Sequence, residues 1–458
     1  MASAHVEGER QSSPLRKVVL ASLIGTTIEW YDFFLYGSAA ALVFNRLFFP
    51  QFAPLTGTLL AFTTYALGFV ARPVGGIIFG HFGDRIGRKR LLMISLVMMG
   101  LATTLIGALP TYDQIGIAAP LALVVLRLIQ GFAVGGEWGG AVLLAAEHGD
   151  AARRGFWASW PQAGVAAGNL LAAGMLALLA ALQSDADFIR WGWRVPFLLS
   201  IVLVVVGWWI RISVAESRTF AKALEEAEAP PKVPALDVLR ERPLGLLTGA
   251  GLRLGENISF YIITVFSITY IVEATSLGRG QALDALLIGS AIQFFAIPAF
   301  GRLSDRIGRR PVYAFGALGM AAFAFAFFPM LGSDTVATAR LAIIVALLLH
   351  AAMYGPQAAF MAEQFPTRLR YSGVSIAAQI TSIVAGSLAP IIALALYQRA
   401  HSWVPVAVYV GVACLVSAVT ALLARETRGI EFDAIRSGCR PAPRWTSSSK
   451  AGSPSPRW

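Results

Sequence analysis

The chain has 458 residues, of which 56% are hydrophobic and 14% are charged, and its mean hydropathy is +0.65. Because about a quarter of the residues in a globular protein are charged, this composition excludes an ordinary soluble protein. The formal net charge of +11 is typical of some nucleic-acid-binding proteins, but the basic residues lie mostly between apolar stretches, so we expect no nucleic-acid partner.

The first element in chain order is a polar segment, residues 1–18, which an apolar stretch follows. That stretch contains Glu29 and Asp32 and has no small-residue cleavage site, so we predict no removable signal peptide. The chain has two cysteines, Cys414 in a late apolar stretch and Cys439 near the C-terminus. They favour neither a disulfide framework nor a cysteine-rich metal site, and we expect no metal and no cofactor.

Apolar runs of about 20 residues predict membrane-spanning helices, and twelve such runs follow one another. The first six cover about 19–44, 58–80, 91–109, 119–145, 158–182 and 194–213, and the second six cover about 244–272, 282–301, 311–331, 338–362, 372–397 and 403–424. Helices are favoured over barrel strands because the runs are continuous and do not alternate with polar residues. The predicted fold is an all-α membrane protein with twelve transmembrane helices.

The polar segments between the runs predict the domain organisation and the orientation. Residues 214–243, which contain Glu225, Glu226 and Glu228 and Pro230, Pro231 and Pro234, are interpreted as a cytoplasmic linker between an N-terminal six-helix bundle (19–213) and a C-terminal one (244–424). Residues 425–458 are predicted to be a cytoplasmic, largely disordered tail. Only six of the 37 Lys and Arg fall in outside loops if the N-terminus is inside, so both termini are expected in the cytoplasm.

A loop motif occurs twice, each time between the second and third helix of a half. The sequence GHFGDRIGRK from Gly80 recurs 221 residues later as GRLSDRIGRR from Gly301. Such a repeat indicates that the two bundles are pseudo-symmetric copies. An Asp at the end of a span is able to attract the positive N-terminus of a neighbouring helix. The matching positions are Gly80, Asp84, Arg85, Gly87 and Arg88 in the first copy and Gly301, Asp305, Arg306, Gly308 and Arg309 in the second.

The doubled motif resembles the signature of the major facilitator superfamily. Two further stretches, EWYDF from Glu29 with Tyr36-Gly37 and RLIQGFAVGGE from Arg127 to Glu137, are similar to the metabolite:proton symporter family within it. The resemblance implies two six-helix halves, transport of a small metabolite, often an organic acid, together with protons, and no catalysis. It also implies that the ten motif residues form a cytoplasmic gate. Positive residues in loops that only orient the spans are the simpler alternative.

Charged side chains within the spans are candidate functional residues, because a charge at the centre of a bilayer is costly. Glu29 and Asp32 are three residues apart on one helical face, and we assign proton coupling to them and to Glu137. The alternative for Glu29 is a structural ion pair with a neighbouring Arg. Arg127 and Glu137 lie about 15 Å apart along the helix axis, so Arg127 needs another anion: Glu29, Asp32 or the substrate's own carboxylate.

The predicted substrate-binding residues come from spans one, four and seven. Arg253, Glu256 and Asn257 share a face of span seven, where the alternative is an Arg and a Glu that neutralise each other. His350 is interpreted as a hydrogen-bonded core residue and is left outside the site, and Arg72 is assigned either to the gate or to the cavity. The complete predicted set is Tyr36, Arg127, Gln130, Arg253, Glu256 and Asn257.

The sequence therefore predicts a secondary active transporter that imports a small, carboxylate-bearing metabolite by proton symport with alternating access. A proton-coupled exporter or exchanger of the same fold, or a membrane receptor that does not translocate its ligand, are the alternatives. We expect a monomer in the cytoplasmic membrane whose partners are the substrate, the proton and the lipid bilayer.

Overall fold

The computed structural model describes residues 15–86, 88–135, 145–146, 150–212 and 234–430, with only the backbone for residues 41, 54, 55, 77, 80–86, 88–90, 92, 210, 211, 234–236, 279, 367 and 368. Twelve helical elements cross the fold, and no β-strand occurs within these residues. In the N-terminal half they are α1 (Leu15–Ala39, continued by a π-helical turn at Ala40–Phe44), α2 (Pro54–Ile86), α3 (Arg88–Ala108), α4 (Ala118–Val134), α5 (Arg154–Leu182) and α6 (Arg194–Ile212).

The C-terminal half repeats this order. It contains α7 (Pro243–Tyr261, a π-helical turn at Ile262–Phe266, then Ser267–Ala274), α8 (Arg279–Ile307), α9 (Arg309–Leu331), α10 (Val336–Ala362), α11 (Thr367–Thr381, a π-helical turn at Ser382–Ser387, then Ala389–Ala400) and α12 (Val404–Leu423). Within the described residues, eight helical stretches are long and apolar enough to cross a bilayer alone. The predicted all-α fold with twelve spans is confirmed.

Short helices occupy several connections: Asn45–Leu47, Tyr112–Ile115, Ala151–Arg153, Asp185–Asp187 with Phe188–Gly192, and Pro234–Glu241. The last of these lies in the predicted linker, whose residues 214–233 are outside the described part of the chain. Of the predicted tail, residues 425–430 are described and contact the helices of both halves. Residues 431–458 are outside it.

The local sequence accounts for where several helices begin and for their length. Pro54 and Pro243 open α2 and α7, where a missing backbone N–H costs nothing and the fixed φ suits the first turn. Prolines also lie inside α2, α5, α8, α9 and α10. Spanning helices tolerate them because neighbouring side chains and adjusted turns satisfy the freed carbonyl groups.

Helix packing encloses the candidate functional side chains between the two halves. α1 packs against α5, α2 against α4, and α3 against α6, whereas in the other half α8 packs against α10 and α9 packs against α10 and α12. The halves meet chiefly along α5 and α8, with further contacts between α2 and α11. The charged faces of α1, α4 and α7 are therefore enclosed by the two halves.

Candidate functional site

A small cavity in the N-terminal half collects the predicted polar residues of spans one and four. α1 contributes Glu29 and Asp32, α2 contributes Arg72, and α4 contributes Arg127 and Gln130. The cavity has room for about one water molecule, and all five side chains are buried. Burying charges at this depth costs free energy, so their presence makes this cavity a candidate functional site.

Arg127 is the best-defined member of this cavity and is 2% exposed. Its Nη1 donates to Oε1 of Gln130 at 3.1 Å, whereas Nε and Nη2 have no hydrogen-bond acceptor within the described residues. Its guanidinium lies over the rings of Phe33, Tyr36 and Tyr65, with carbon-to-centroid distances of 4.8, 4.3 and 4.7 Å. The aromatic faces favour the cation, while the two remaining N–H groups are suited to a carboxylate.

The expected ion pair between Arg127 and a carboxylate of α1 is not formed in the described part of the protein. Asp32 accepts a hydrogen bond from the Ser200 hydroxyl at Oδ1, 2.8 Å away, and its Oδ2 has no hydrogen-bond donor among the described residues. Ser200 belongs to α6, so α1, α4 and α6 together position the Asp32 carboxylate and the Arg127 guanidinium. Asp32 therefore lines the same cavity as Arg127 without forming an ion pair with it among the described residues.

Two neighbouring polar residues position the arginine. Tyr36 holds its hydroxyl 2.6 Å from that of Thr64 on α2, which turns the tyrosine ring towards the guanidinium. Gln130 donates from Nε2 to the Thr103 hydroxyl on α3 at 2.6 Å, so its carbonyl oxygen is left to accept from Arg127. The predicted residues Tyr36 and Gln130 therefore lie around Arg127. Glu137 lies outside the described residues.

A second polar cluster lies in the C-terminal half around Glu256 of α7. Arg253 Nη1 is 3.5 Å from Glu256 Oε2, which is the neutralising pair considered as the alternative. Asn257 donates from Nδ2 to that same oxygen at 3.3 Å and to the Arg253 carbonyl at 3.0 Å. The three predicted residues are buried and form one network.

Three residues that the sequence interpretation left out complete this network. His350 Nε2 of α10 is 3.0 Å from Glu256 Oε1, and Gln357 Nε2 donates to Glu256 Oε2 at 3.2 Å. Gln293 of α8 contacts the other nitrogen of His350 at 2.8 Å. His350 is a hydrogen-bonded core residue, as interpreted, but its partner belongs to the predicted site. The seven-residue spacing of His350 and Gln357 on one helical face was the signal that could have found them.

Six aromatic rings separate the two polar clusters, and we call them the aromatic layer. Rings of opposite halves lie 5.6 to 6.3 Å apart between centroids, and Phe260 contacts both Trp30 and Phe34. These distances are those of packed aromatic pairs. The aromatic layer consists of Trp30, Phe33 and Phe34 of α1, Phe69 of α2, and Phe260 and Tyr261 of α7.

The second copy of the loop motif joins the two halves. Asp305, near the end of α8, accepts hydrogen bonds from the backbone N–H groups of Gly155 at 2.9 Å and of Phe156 at 2.8 Å. These amides belong to the first turn of α5, whose own N-cap residue provides no side-chain cap. Asp305 therefore caps a helix of the other half, where its charge also suits the positive end of the helix.

Arg309 and Glu363 extend this contact. Arg309 Nη1 donates to Asp305 Oδ1 at 2.6 Å, and Arg309 Nη2 lies 3.3 Å from Glu363 Oε1. Arg154 of α5 pairs with that oxygen across the halves at 2.9 Å and also donates to the Ile430 carbonyl of the tail. Buried ions in such a network are stable only while each has its partners.

The glycines of the motif allow these contacts, since Gly308 has a φ of +111° between α8 and α9 and a Cβ at Gly301 would lie 2.6 Å from the Gly155 carbonyl oxygen. Arg306 is exposed. The structure does not describe the side-chain contacts of the corresponding residues in the first copy, which are Gly80, Asp84, Arg85, Gly87 and Arg88.

Glu426 after α12 caps α9, whose N-cap residue, Gly308, has no side chain. Its carboxylate accepts from the backbone N–H groups of Arg309 at 2.9 Å and Arg310 at 3.0 Å. Burial raises the pKa of Glu426, but these amides and those of Arg428 and Thr427 lower it by more, so that it lies below its usual range. The cap is therefore charged at neutral pH.

Comparison with known proteins adds sequence and structural relatives. The profile of the Major Facilitator Superfamily matches residues 22–386 and 258–452. The Shikimate transporter of Escherichia coli K12 is 43% identical over 425 residues, which cover 92% of this chain and 97% of that protein. The Proline/betaine transporter of the same strain is 32% identical and covers 90% of this chain and 84% of that protein.

Among solved structures, the fold is similar to that of the proton:xylose symporter XylE bound to 6-bromo-6-deoxy-D-glucose. The TM-score is 0.72 at 17% identity, with 92% of this chain and 98% of the other covered. The inward-open conformation of the Escherichia coli xylose transporter gives a TM-score of 0.67 at 17% identity, with 92% of this chain and 99% of the other covered.

Proposed function

The chain belongs to the major facilitator superfamily, and from this premise we propose that it imports a small carboxylate-bearing metabolite by proton symport, with alternating access between its two halves. It is a multi-pass membrane transporter and not an enzyme. We further propose that it acts as a monomer in the cytoplasmic membrane with both termini inside, as the distribution of basic residues favours.

The observation that carries this proposal is the environment of Arg127. A guanidinium enclosed by three aromatic rings, with two N–H groups free of acceptors in the described residues, is complementary to a planar carboxylate. Tyr36 and Gln130 would orient that cation. Arg253, Glu256 and Asn257, across the aromatic layer, would bind the rest of the substrate once the halves part.

Proton coupling is assigned to Asp32, with Glu29 and Glu137 as further members. Asp32 and Glu29 line the same cavity as Arg127, and Asp32 Oδ2 has no donor among the described residues. A carboxylate in this position alternates between a protonated state and a charged state that the nearby arginine favours. The proton and the substrate would thereby act on the same cation.

Substrate binding is tested with the purified transporter and a panel of ligands: a cyclic hydroxy acid such as shikimate, a keto acid, citrate and glycine betaine. A ligand at 100 times its Kd stabilises the folded protein by about 2.7 kcal/mol, so at least one acid should raise the Tm. In proteoliposomes with acid outside, that acid should accumulate, and a protonophore should abolish the accumulation. If no acid is bound or accumulated, the proposal is wrong.

A zwitterionic substrate is the second candidate, because the two polar clusters offer a guanidinium and a carboxylate and because one relative is a proline/betaine transporter. Stabilisation and uptake of glycine betaine without those of the acids would favour it. Transport in inside-out vesicles with the opposite gradient would indicate an exporter. The absence of counterflow in proteoliposomes would indicate a receptor that does not translocate its ligand.

We propose that Asp305 and Arg309, together with Arg306, Gly301 and Gly308, form one part of a cytoplasmic gate, and that Asp84, Arg85, Arg88, Gly80 and Gly87 form the other. Asp305→Asn removes the charge that caps α5. A hydrogen bond to a charged group contributes about 1.5–3 kcal/mol, so this loss should open the gate more often. A maleimide applied from the cytoplasmic side should label a Ser159→Cys reporter roughly tenfold faster in this variant.

The matched control for the gate is Asp284→Asn, on the same helix, where Asp284 forms a half-exposed pair with Arg340. It should leave the labelling rate unchanged, as expected of an exposed ion pair. All proteins in this experiment also carry Cys439→Ser, which removes one of the two native thiols, and the other, Cys414, is buried. The maleimide therefore labels the cysteine introduced at position 159. Unchanged labelling together with unchanged transport in Asp305→Asn would exclude the gate.

A further inference from the structure

His350 is a buried ionisable residue in the C-terminal half that the proposed transport mechanism does not use. It lies in the middle of α10 and is 1% exposed. Both of its ring nitrogens have polar partners, with Glu256 Oε1 at 3.0 Å from Nε2 and Gln293 Nε2 at 2.8 Å from Nδ1. Imidazole is the side chain whose ordinary charge change falls between about pH 5 and 8.

The partners of this histidine fit one tautomer of its neutral ring. The amide of Gln293 donates an N–H to Nδ1, so Nδ1 is an acceptor and the ring carries its proton on Nε2. That proton is donated to Glu256 Oε1. This arrangement accommodates a neutral imidazole, and the charges of Arg253 and Glu256 balance each other at 3.5 Å.

The same surroundings are able to hold the charged ring. Rotation of the Gln293 amide by half a turn replaces its N–H donor with its carbonyl oxygen, which accepts from a protonated Nδ1. Glu256 is then a charged acceptor for Nε2, and the ring lies on the face of Phe260, with centroids 4.6 Å apart and planes inclined by 27°. Both contacts favour an imidazolium.

Other titratable groups near the network are few in the described part of the chain. Arg253 is the charged side chain that shares the network with Glu256, and its Nη1 donates to Gln357 at 3.0 Å. Tyr354 of α10 lies against the imidazole ring, whereas Tyr261 of α7, Tyr313 of α9 and Cys414 of α12 lie near Glu256. These remaining groups are neutral when they carry their protons, so Glu256 provides the anion for a charged His350.

We propose that His350 is a second proton-binding site, separate from Asp32 and located in the C-terminal half. One proton binds to Nδ1, the Gln293 amide turns, and the net charge of Arg253, Glu256 and His350 rises from zero to +1. The charged ring lies on Phe260, which packs against Trp30 and Phe34 of the other half. Protonation of His350 therefore places a positive charge against the aromatic layer.

The test is nitrogen NMR of the full-length transporter, labelled with ¹⁵N-histidine and reconstituted in lipid nanodiscs. The chain has five histidines, and His350→Gln assigns the signal of interest by its loss. At pH 8 the His350 signal should be that of the Nε2–H form, and on acidification it should become that of the imidazolium. His401→Asn, which removes an exposed histidine, is the control for assignment.

Two further variants decide what the signal means. Glu256→Gln should lower the imidazolium fraction at pH 5.5 about threefold or more, because it removes the carboxylate that favours the charged ring. Asp32→Asn should leave the titration unchanged, since the two sites belong to different halves. Both variants are compared under conditions where their Tm exceeds the measuring temperature by a wide margin.

Some results would overturn the second site. A signal that stays in the neutral form down to pH 4.5 while the protein remains folded would make His350 a purely structural residue. An imidazolium fraction unaffected by Glu256→Gln would remove the carboxylate from the site, and a titration lost in Asp32→Asn would mean that the two sites are one. The measurement needs no substrate, so its result does not depend on the proposed transport activity.

Discussion

Asp32→Asn is expected to abolish accumulation of substrate against its gradient while leaving counterflow. Asparagine keeps the size of the side chain and accepts from Ser200 as the carboxylate does, but it neither binds nor releases a proton. Counterflow exchanges substrate for substrate without net proton movement, so it needs the binding site and the movement of the halves alone. Uptake and counterflow in the same proteoliposomes, at several external pH values, measure both activities.

Asp284→Asn is the matched control for this prediction. Asp284 is 41% exposed and pairs with Arg340, outside the cavity. It should accumulate substrate at the rate of the wild-type protein and keep the increase of uptake with external acid. Normal accumulation by a well-expressed Asp32→Asn would assign proton coupling to another residue, with Glu29 and Glu137 as the next candidates.

Arg127→Lys is expected to weaken the binding of an acidic substrate at least tenfold, on the order of 1.4 kcal/mol. A guanidinium donates two parallel hydrogen bonds to a carboxylate, whereas an ammonium group is a compact point charge. The replacement also loses the flat contact with the rings of Phe33, Tyr36 and Tyr65. Affinity is measured by ligand-induced stabilisation and by the concentration dependence of counterflow.

The comparison with an uncharged analogue separates recognition from folding. If Arg127 binds the carboxylate, its replacement should reduce the affinity for the acid more than that for the corresponding amide. Arg340→Lys changes the same side chain at a half-exposed ion pair and should alter neither affinity. Normal affinity for the acid in a well-expressed Arg127→Lys or Arg127→Ala would make a structural role the better account of this residue.

The spans could be predicted from the sequence because each is a continuous apolar run with its own start and end. The predicted run 311–331, for example, corresponds to α9 at Arg309–Leu331, and 338–362 corresponds to α10 at Val336–Ala362. The motif repeat likewise located the loop between α8 and α9. These properties depend on local sequence alone.

The contacts of the site could be predicted only in part, because they join helices that are distant in sequence. Helical spacing related Arg127 to Gln130, but it contained no information on the ring of Tyr65 in α2. His350 was interpreted as a hydrogen-bonded core residue because it lies near Tyr354 and Gln357 in the sequence, whereas its partner Glu256 lies 94 positions earlier in the chain. The cap that Asp305 provides for α5 spans 150 positions and two halves.

The aromatic layer has a consequence for the leakage of protons across the membrane. A proton gradient across a membrane stores free energy, and a membrane protein with a permanent path for protons would dissipate it. Phe33, Phe34, Phe69 and Phe260 have no exchangeable proton, and they lie between the cavity of Asp32 and the network of His350. We propose that the layer, in which only Trp30 and Tyr261 carry an exchangeable proton, hinders the passage of protons between the two clusters while the rings are in contact, so that protons cross in the steps that also move substrate.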